Sequence, residues 1–124
     1  VGEGREFWRS LDIAEHIDQI EAPIMMHHSL SEAHIALRFM RHLDDEGKPY
    51  DAYVFTNELH SKWQPAHLHA IQQRNLDWFR FWLQDYEDPS AQKQEQYQRW
   101  RVLRELQCKN PRSLRDYCKL TNPS

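Results

Sequence analysis

Glu32 and His60 are the two side chains of this sequence whose type and position suit proton-transfer chemistry. Each falls in a loop just past a short apolar run, Glu32 after residues 24–28 and His60 after residues 50–56. If both runs are parallel strands of one sheet, the loops beyond their carboxyl ends lie on the same edge, where such folds hold reactive groups. A carboxylate there can orient an imidazole, and the imidazole can then act as general base toward a hydroxyl. Either residue alone has an ordinary explanation. A glutamate that opens a helix is commonly a capping or dipole partner, and a loop histidine commonly faces solvent. Their joint placement after consecutive strands is what points to a pair.

The remaining candidates carry less. Ser29 and Ser31 lack the glycines of a nucleophile elbow, and no GxSxG occurs anywhere in the chain, so the nucleophile is expected outside it. Glu58 is a rival acid, but it stands two residues from His60 in the same loop and is expected to brace that loop. His27 and His28 are adjacent in a strand, so they point to opposite faces. His67 and His69 diverge on a helix, and His34 and His42 have no partner at metal-site spacing. No metal site and no cofactor is expected, and the substrate-binding residues are unknown.

The elements that must position the pair follow from local pattern. Residues 1–19 look irregular or weakly helical. Pro23 disfavours helix before it, and residues 24–28 read as a buried strand. Ser29 or Ser31 is placed to cap a helix over 32–46, in which Ala33, Ala36, Leu37, Met40 and Leu43 recur at helical steps. Gly47 suits its end. Residues 50–56, aromatic and β-branched, read as a second strand. After a polar loop over 57–64, Pro65 opens a helix to about 83, with Leu68, Ile71, Leu76, Phe79 and Leu83 as its apolar positions. Residues 85–89 break it. A charged helix follows over about 90–106 with Tyr97, Trp100 and Leu103 as its packing face, and the tail has room for one further turn.

The order strand, helix, strand suits a parallel βαβ unit. Two parallel strands and about three helices do not bury both faces of a sheet, which ordinarily has more strands. The expectation is therefore an α/β fold in which residues 1–124 form the C-terminal portion of a doubly wound sheet, completed by a missing upstream segment. Residues 16–83 would hold the acid and the histidine.

Composition sets wide bounds. With 124 residues the chain has the size of one small domain. Its net charge of −3 gives no reason to expect nucleic acid or an anionic membrane. No apolar run approaches the roughly 18 residues of a membrane helix, and no signal peptide opens the chain. Aromatics are dense between Trp63 and Trp100, more surface than so short a stretch buries by itself. Cys108 and Cys118 sit in no CxxC motif. They either close a short loop around Pro111 or stay free, and the base rate for chains that are not secreted favours free thiols.

The order acid-then-histidine matches the last two members of an α/β-hydrolase triad. The segment from Lys48-Pro49-Tyr50 through Phe55-Thr56-Asn57-Glu58-Leu59-His60 resembles the prolyl oligopeptidase family, where a G-K-P-V-E-x-x-x-[FY]-P-x-E-x-H pattern leads to the catalytic histidine. Ile20-Glu21-Ala22-Pro23-Ile24-Met25-Met26-His27 is similar to that family's I-x-x-P-x-L-x-x-H strand, and Arg74-Asn75-Leu76-Asp77-Trp78-Phe79 to its closing helix. A narrower resemblance is to the lasso-peptide isopeptidases of the same family, through His60-Ser61-Lys62-Trp63-Gln64-Pro65-Ala66-His67 against H-x-K-W-Q-P-x-H. The stretch 78–83 and the helix around Tyr97-Gln98-Arg99-Trp100-Arg101 also look like theirs. Those enzymes hydrolyse the isopeptide bond that closes a threaded peptide ring, and their triad acid is a glutamate.

The resemblance implies a serine peptidase or isopeptidase with His60 as base and Glu32 as its acid. The serine, the oxyanion hole and an N-terminal propeller would lie on the upstream part of the same enzyme. The fragment would be inactive alone, act with that part on a peptide, possibly a lasso peptide, and belong to a bacterial cytoplasm or periplasm. The sequence departs from the family at His28-Ser29, where His-Gly is usual, in the short acid loop 29–32, and at Thr56, where proline is usual.

Overall fold

The computed structural model describes residues 2–112 and 116–121. The elements run α1 (Gly2–Leu11), a 3₁₀ segment (Ile13–Gln19), β1 (Ile24–Ser29), α2 (Ala33–Asp45), β2 (Tyr50–Phe55), α3 (Pro65–Gln84), a 3₁₀ turn (Ala91–Lys93), α4 (Gln94–Cys108) and α5 (Asp116–Thr121). The chain before β1, read as irregular or weakly helical, is thus a helix followed by a 3₁₀ segment, with Asp12 accepting a bond from the Ala14 amide at the join. The expected strands, central helix and aromatic helices all form, within a residue or two of the anticipated bounds except at the start of α4, where residues 91–93 form a 3₁₀ turn and the helix begins only at Gln94, four residues later than expected.

β1 and β2 pair in parallel, in register from Ile24 opposite Tyr50 to Ser29 opposite Phe55. Both strands therefore end at the same edge. Alternation along each strand separates two faces. One carries Met25, His27, Asp51, Tyr53 and Phe55, and α3 and α4 lie against it. The Arg74 guanidinium of α3 sits 3.5 Å over the Tyr53 ring, and the Trp100 indole of α4 donates to Asp51 at 2.7 Å. Helix α2 contacts both strands, and Tyr50 on the second face donates to Asp44 at 3.1 Å. Helices are thus present on both faces of the two-stranded sheet.

The core is aromatic. Trp78, Phe81 and Trp82 of α3 close on Tyr97 and Trp100 of α4, with Met25, Leu103 and Tyr117 packed around them. Tyr97 and Trp100 form the packing face of α4 as expected. Helix α3 differs from expectation. The apolar row expected to pack is largely outside, with Phe79 60% and Leu83 73% exposed, and Leu68 and Leu76 also exposed. The helix has two apolar faces, and the larger aromatic one takes the contact with α4. Leu37 of α2, expected inside, is likewise exposed. These outward apolar residues are surface that the described residues leave uncovered.

Buried polar residues tie the elements together. Lys48 donates to the Asp18 and Ile20 carbonyls, and Gln107 to the Glu21 carbonyl, so the chain leading into β1 is held from two sides. Asp77 of α3 accepts from Lys93 and Gln96. Among the described residues no helix is long and apolar enough to cross a membrane.

Cys108 and Cys118 correct the expectation of free thiols: they form a disulfide joining α4 to α5. Helix α5 folds back because Tyr117 packs on Trp82 and lies under the Arg104 guanidinium. That contact brings the two cysteine Cα atoms to 5.2 Å, within bridging range. The bridge spans a sequence separation of 10, so Cys118→Ala is expected to cost about 2–3 kcal/mol through the freed unfolded chain. Thermal unfolding with and without reductant checks this, since only the parent should respond to reductant.

Candidate active site

The parallel register sets Ser29 and Phe55 side by side at the carboxyl edge of the sheet. The chain leaves β1 there into the turn holding Glu32, and leaves β2 into the loop holding His60. Asn57 adopts a left-handed φ of 55°, a conformation asparagine tolerates better than most residues, and this turns the second loop back along the sheet edge.

The two candidate residues meet. Glu32 Oε1 lies 2.5 Å from His60 Nδ1. A carboxylate only accepts hydrogen bonds, so the proton of this contact belongs to Nδ1. The other ring nitrogen, Nε2, then carries the lone pair. It has no hydrogen-bond partner among the described residues, and the side chain is 89% exposed. The ring is therefore held at one nitrogen and open at the other, the arrangement of a general base awaiting a hydroxyl.

The carboxylate itself is well secured. Glu32 Oε2 accepts from the Ser29 hydroxyl at 2.8 Å and from the Ser29 amide at 3.2 Å. The Lys62 ammonium stands 3.8 Å away. The Ser29 hydroxyl first, then His60 and the Ser29 amide, hold the Glu32 carboxyl down at about 2. Its position at the start of α2 also suits a negative charge.

The expected cap is corrected here. Neither Ser29 nor Ser31 caps α2: Glu32 occupies the cap position and makes no side-chain cap bond. The Ser29 hydroxyl is taken by the Glu32 carboxylate, and Ser31 lies 3.0 Å from Ser29 Oγ.

Glu58 stands apart from the pair, as its bracing role requires. It is buried, and it accepts from the Trp63 and Gln64 amides and from His67 Nδ1 at 2.7 Å. Burial works against its ionisation, but the Trp63 amide, the His67 ring and the Gln64 amide outweigh it and keep the carboxyl below its usual range. The Gln64 side chain closes the loop by donating to the Asn57 carbonyl. His67, expected only to diverge from His69 on its helix, thus belongs to the brace of the His60 loop. His27 stacks on Tyr53. Burial first, then the Arg74 charge, lowers it to about 4 and keeps it neutral. No group of three or more potential metal ligands occurs among the described residues.

Sequence reasoning missed the contacts of Ser29 and Lys62 with Glu32. The only local signal was the spacing of Ser29 and Glu32 three residues apart, which is also that of a capping box.

No family model matches the chain. The lasso peptide isopeptidase AtxE2 of Asticcacaulis excentricus is 39% identical to it over 105 residues, which is 85% of this chain and 15% of that protein. Two solved structures of AtxE2 match the fold with a TM-score of 0.76, over 81% of this chain and 15% of theirs. One is the apo form, and the other is a serine-to-alanine variant with Astexin3-dC4 bound. The chain thus spans a small part of the length of the relatives it matches. By sequence and by fold the chain is similar to one segment of AtxE2.

Proposed function

We propose that this chain supplies the acid and the base of a serine-type isopeptidase whose nucleophilic serine lies outside the 124 residues. The observation that carries the reading is the Glu32–His60 contact, with Nε2 left open, in a segment 39% identical to a lasso peptide isopeptidase.

In the proposed reaction His60 Nε2 takes the proton of the serine hydroxyl as its oxygen attacks the amide carbonyl. The imidazolium that forms is stabilised by Glu32, which keeps the ring in place without itself taking the proton. His60 returns the proton to the leaving amine. A water then enters, is deprotonated in the same way, and releases the acyl group from the serine. The exposed aliphatic residues of α2 and α3 are where the rest of the enzyme would pack, and the fragment alone would be inactive. The substrate is a peptide, and a threaded lasso peptide is the specific proposal.

The test is an assay of the complete enzyme against a threaded lasso peptide, a linear peptide of the same sequence, and a simple ester. Selective opening of the threaded peptide is the expected result. Turnover of linear peptides alone would make the protein a general peptidase of the same family, and turnover of esters alone would reject peptide-bond hydrolysis.

A further inference from the structure

The Glu32 carboxylate has two oxygens, and only one of them can serve the histidine. The terminal torsion of a glutamate is broad, so something must fix which oxygen faces His60. The surroundings of Oε2 supply it. Ser29 is fully buried and reaches Oε2 twice, through its amide and through its hydroxyl. A hydroxyl has one proton, and that of Ser29 is committed to Oε2. The 3.0 Å contact between Ser29 and Ser31 is therefore donated by Ser31. Lys62 approaches from the other loop with only 8% of its side chain exposed. Its ammonium donates to the His60 carbonyl at 3.0 Å and stands 3.8 Å from Oε2. One cation thus bonds the backbone of the histidine and stands near the charge of the acid, joining residues that follow different strands.

We infer that Ser29 and Lys62 are positioning residues that hold Oε2 of Glu32 and so fix Oε1 on His60 Nδ1. The inference rests on the triad reading above. Ser29 stands where the resemblance to prolyl oligopeptidases leads one to expect glycine, which has no hydroxyl to give. The longer glutamate side chain has an extra rotatable bond compared with aspartate, and the serine restrains it. Lys62 stays beyond direct hydrogen-bond distance of Oε2, so it favours the ionised carboxylate without displacing the histidine as partner of Oε1.

The experiment uses the full-length enzyme and the peptide it cleaves. Ser29→Ala and Lys62→Met are each expected to lower kcat by about tenfold to a hundredfold, with KM changed by less than about twofold, as for other residues that orient a reacting group. The low-field proton signal of the His60 Nδ1–H, identified by its absence in His60→Ala, is expected to shift in both variants. Ser29→Thr keeps the hydroxyl and should recover most of kcat and the parent signal. Thermal unfolding reports whether each variant is folded, and Lys62→Met carries the same test should Ser29→Ala not fold.

Unchanged kcat, a loss carried wholly by KM, or an unmoved proton signal would overturn the inference. Glu32→Gln separates this from the underlying reading. If that variant is active, the triad reading fails whatever Ser29 does. If it is inactive while Ser29→Ala and Lys62→Met are unimpaired, only the positioning role fails.

Discussion

His60→Ala in the complete enzyme is expected to lower kcat by roughly 10⁵- to 10⁶-fold, the scale seen when the base of a serine triad is removed. The serine then has no group to take its proton, and the leaving amine has none to protonate it. The loss should fall on kcat, because nothing in the site gives His60 a role in holding substrate in the ground state. It should not come from unfolding. The side chain is 89% exposed and, among the described residues, makes a single side-chain bond, to Glu32, so its truncation opens no cavity in the aromatic core. Steady-state kinetics with a parallel thermal melt checks both halves. A variant within tenfold of the parent, or one that is inactive only because it has unfolded, would remove His60 from the chemistry.

Glu32→Gln is expected to cost about 10⁴-fold in kcat, by analogy with the acid-to-amide change in other serine triads. The amide keeps the shape of the carboxylate but not its charge. Its NH₂ can donate to Nδ1 and so favour the tautomer whose Nε2 is already protonated, and its oxygen stabilises an imidazolium less. Because the Glu32 carboxyl is held at about 2, chiefly by the Ser29 hydroxyl, it stays ionised at every pH at which the enzyme would be assayed. Any acidic limb of the pH–rate profile above about pH 4 must then belong to another group. The linkage has a definite sign. A depressed carboxyl contributes stability that is complete above its ordinary value near 4.5 and is lost as pH falls toward 2. Acid unfolding of the Glu32→Gln variant should lack that component. If the variant were fully active, Glu58 would become the candidate acid, although its oxygens are already committed to Trp63, Gln64 and His67.

The comparison of Glu32 with Glu58 shows how much of the site could be read from the chain. Both are glutamates in loops beyond strands, and neither propensity nor spacing distinguishes an acid that touches His60 from one that braces its loop. What separated them was placement after different strands, since a parallel pair brings its two carboxyl-end loops together. Which oxygen of Glu32 meets the ring, and that Ser29 and Lys62 hold the other, had no signature, because those contacts join side chains whose directions depend on the packed sheet.

The sequence by itself determined the order of the elements from β1 onward, the bounds of β1, α2, β2 and α3 to within a residue or two, and the edge on which Glu32 and His60 fall. Those follow from local signals: Pro23 and Pro65, the turn at Gly47 with its φ of 60°, and apolar steps of two or of three and four. Only the tertiary structure decided that α3 turns Trp78, Phe81 and Trp82 inward and leaves Leu83 outside, that Cys108 meets Cys118, and that Ser29 serves the acid instead of capping α2. Each is a competition between local choices of similar free energy. Such choices are settled by which distant residues arrive alongside, and that is a property of the assembled fold.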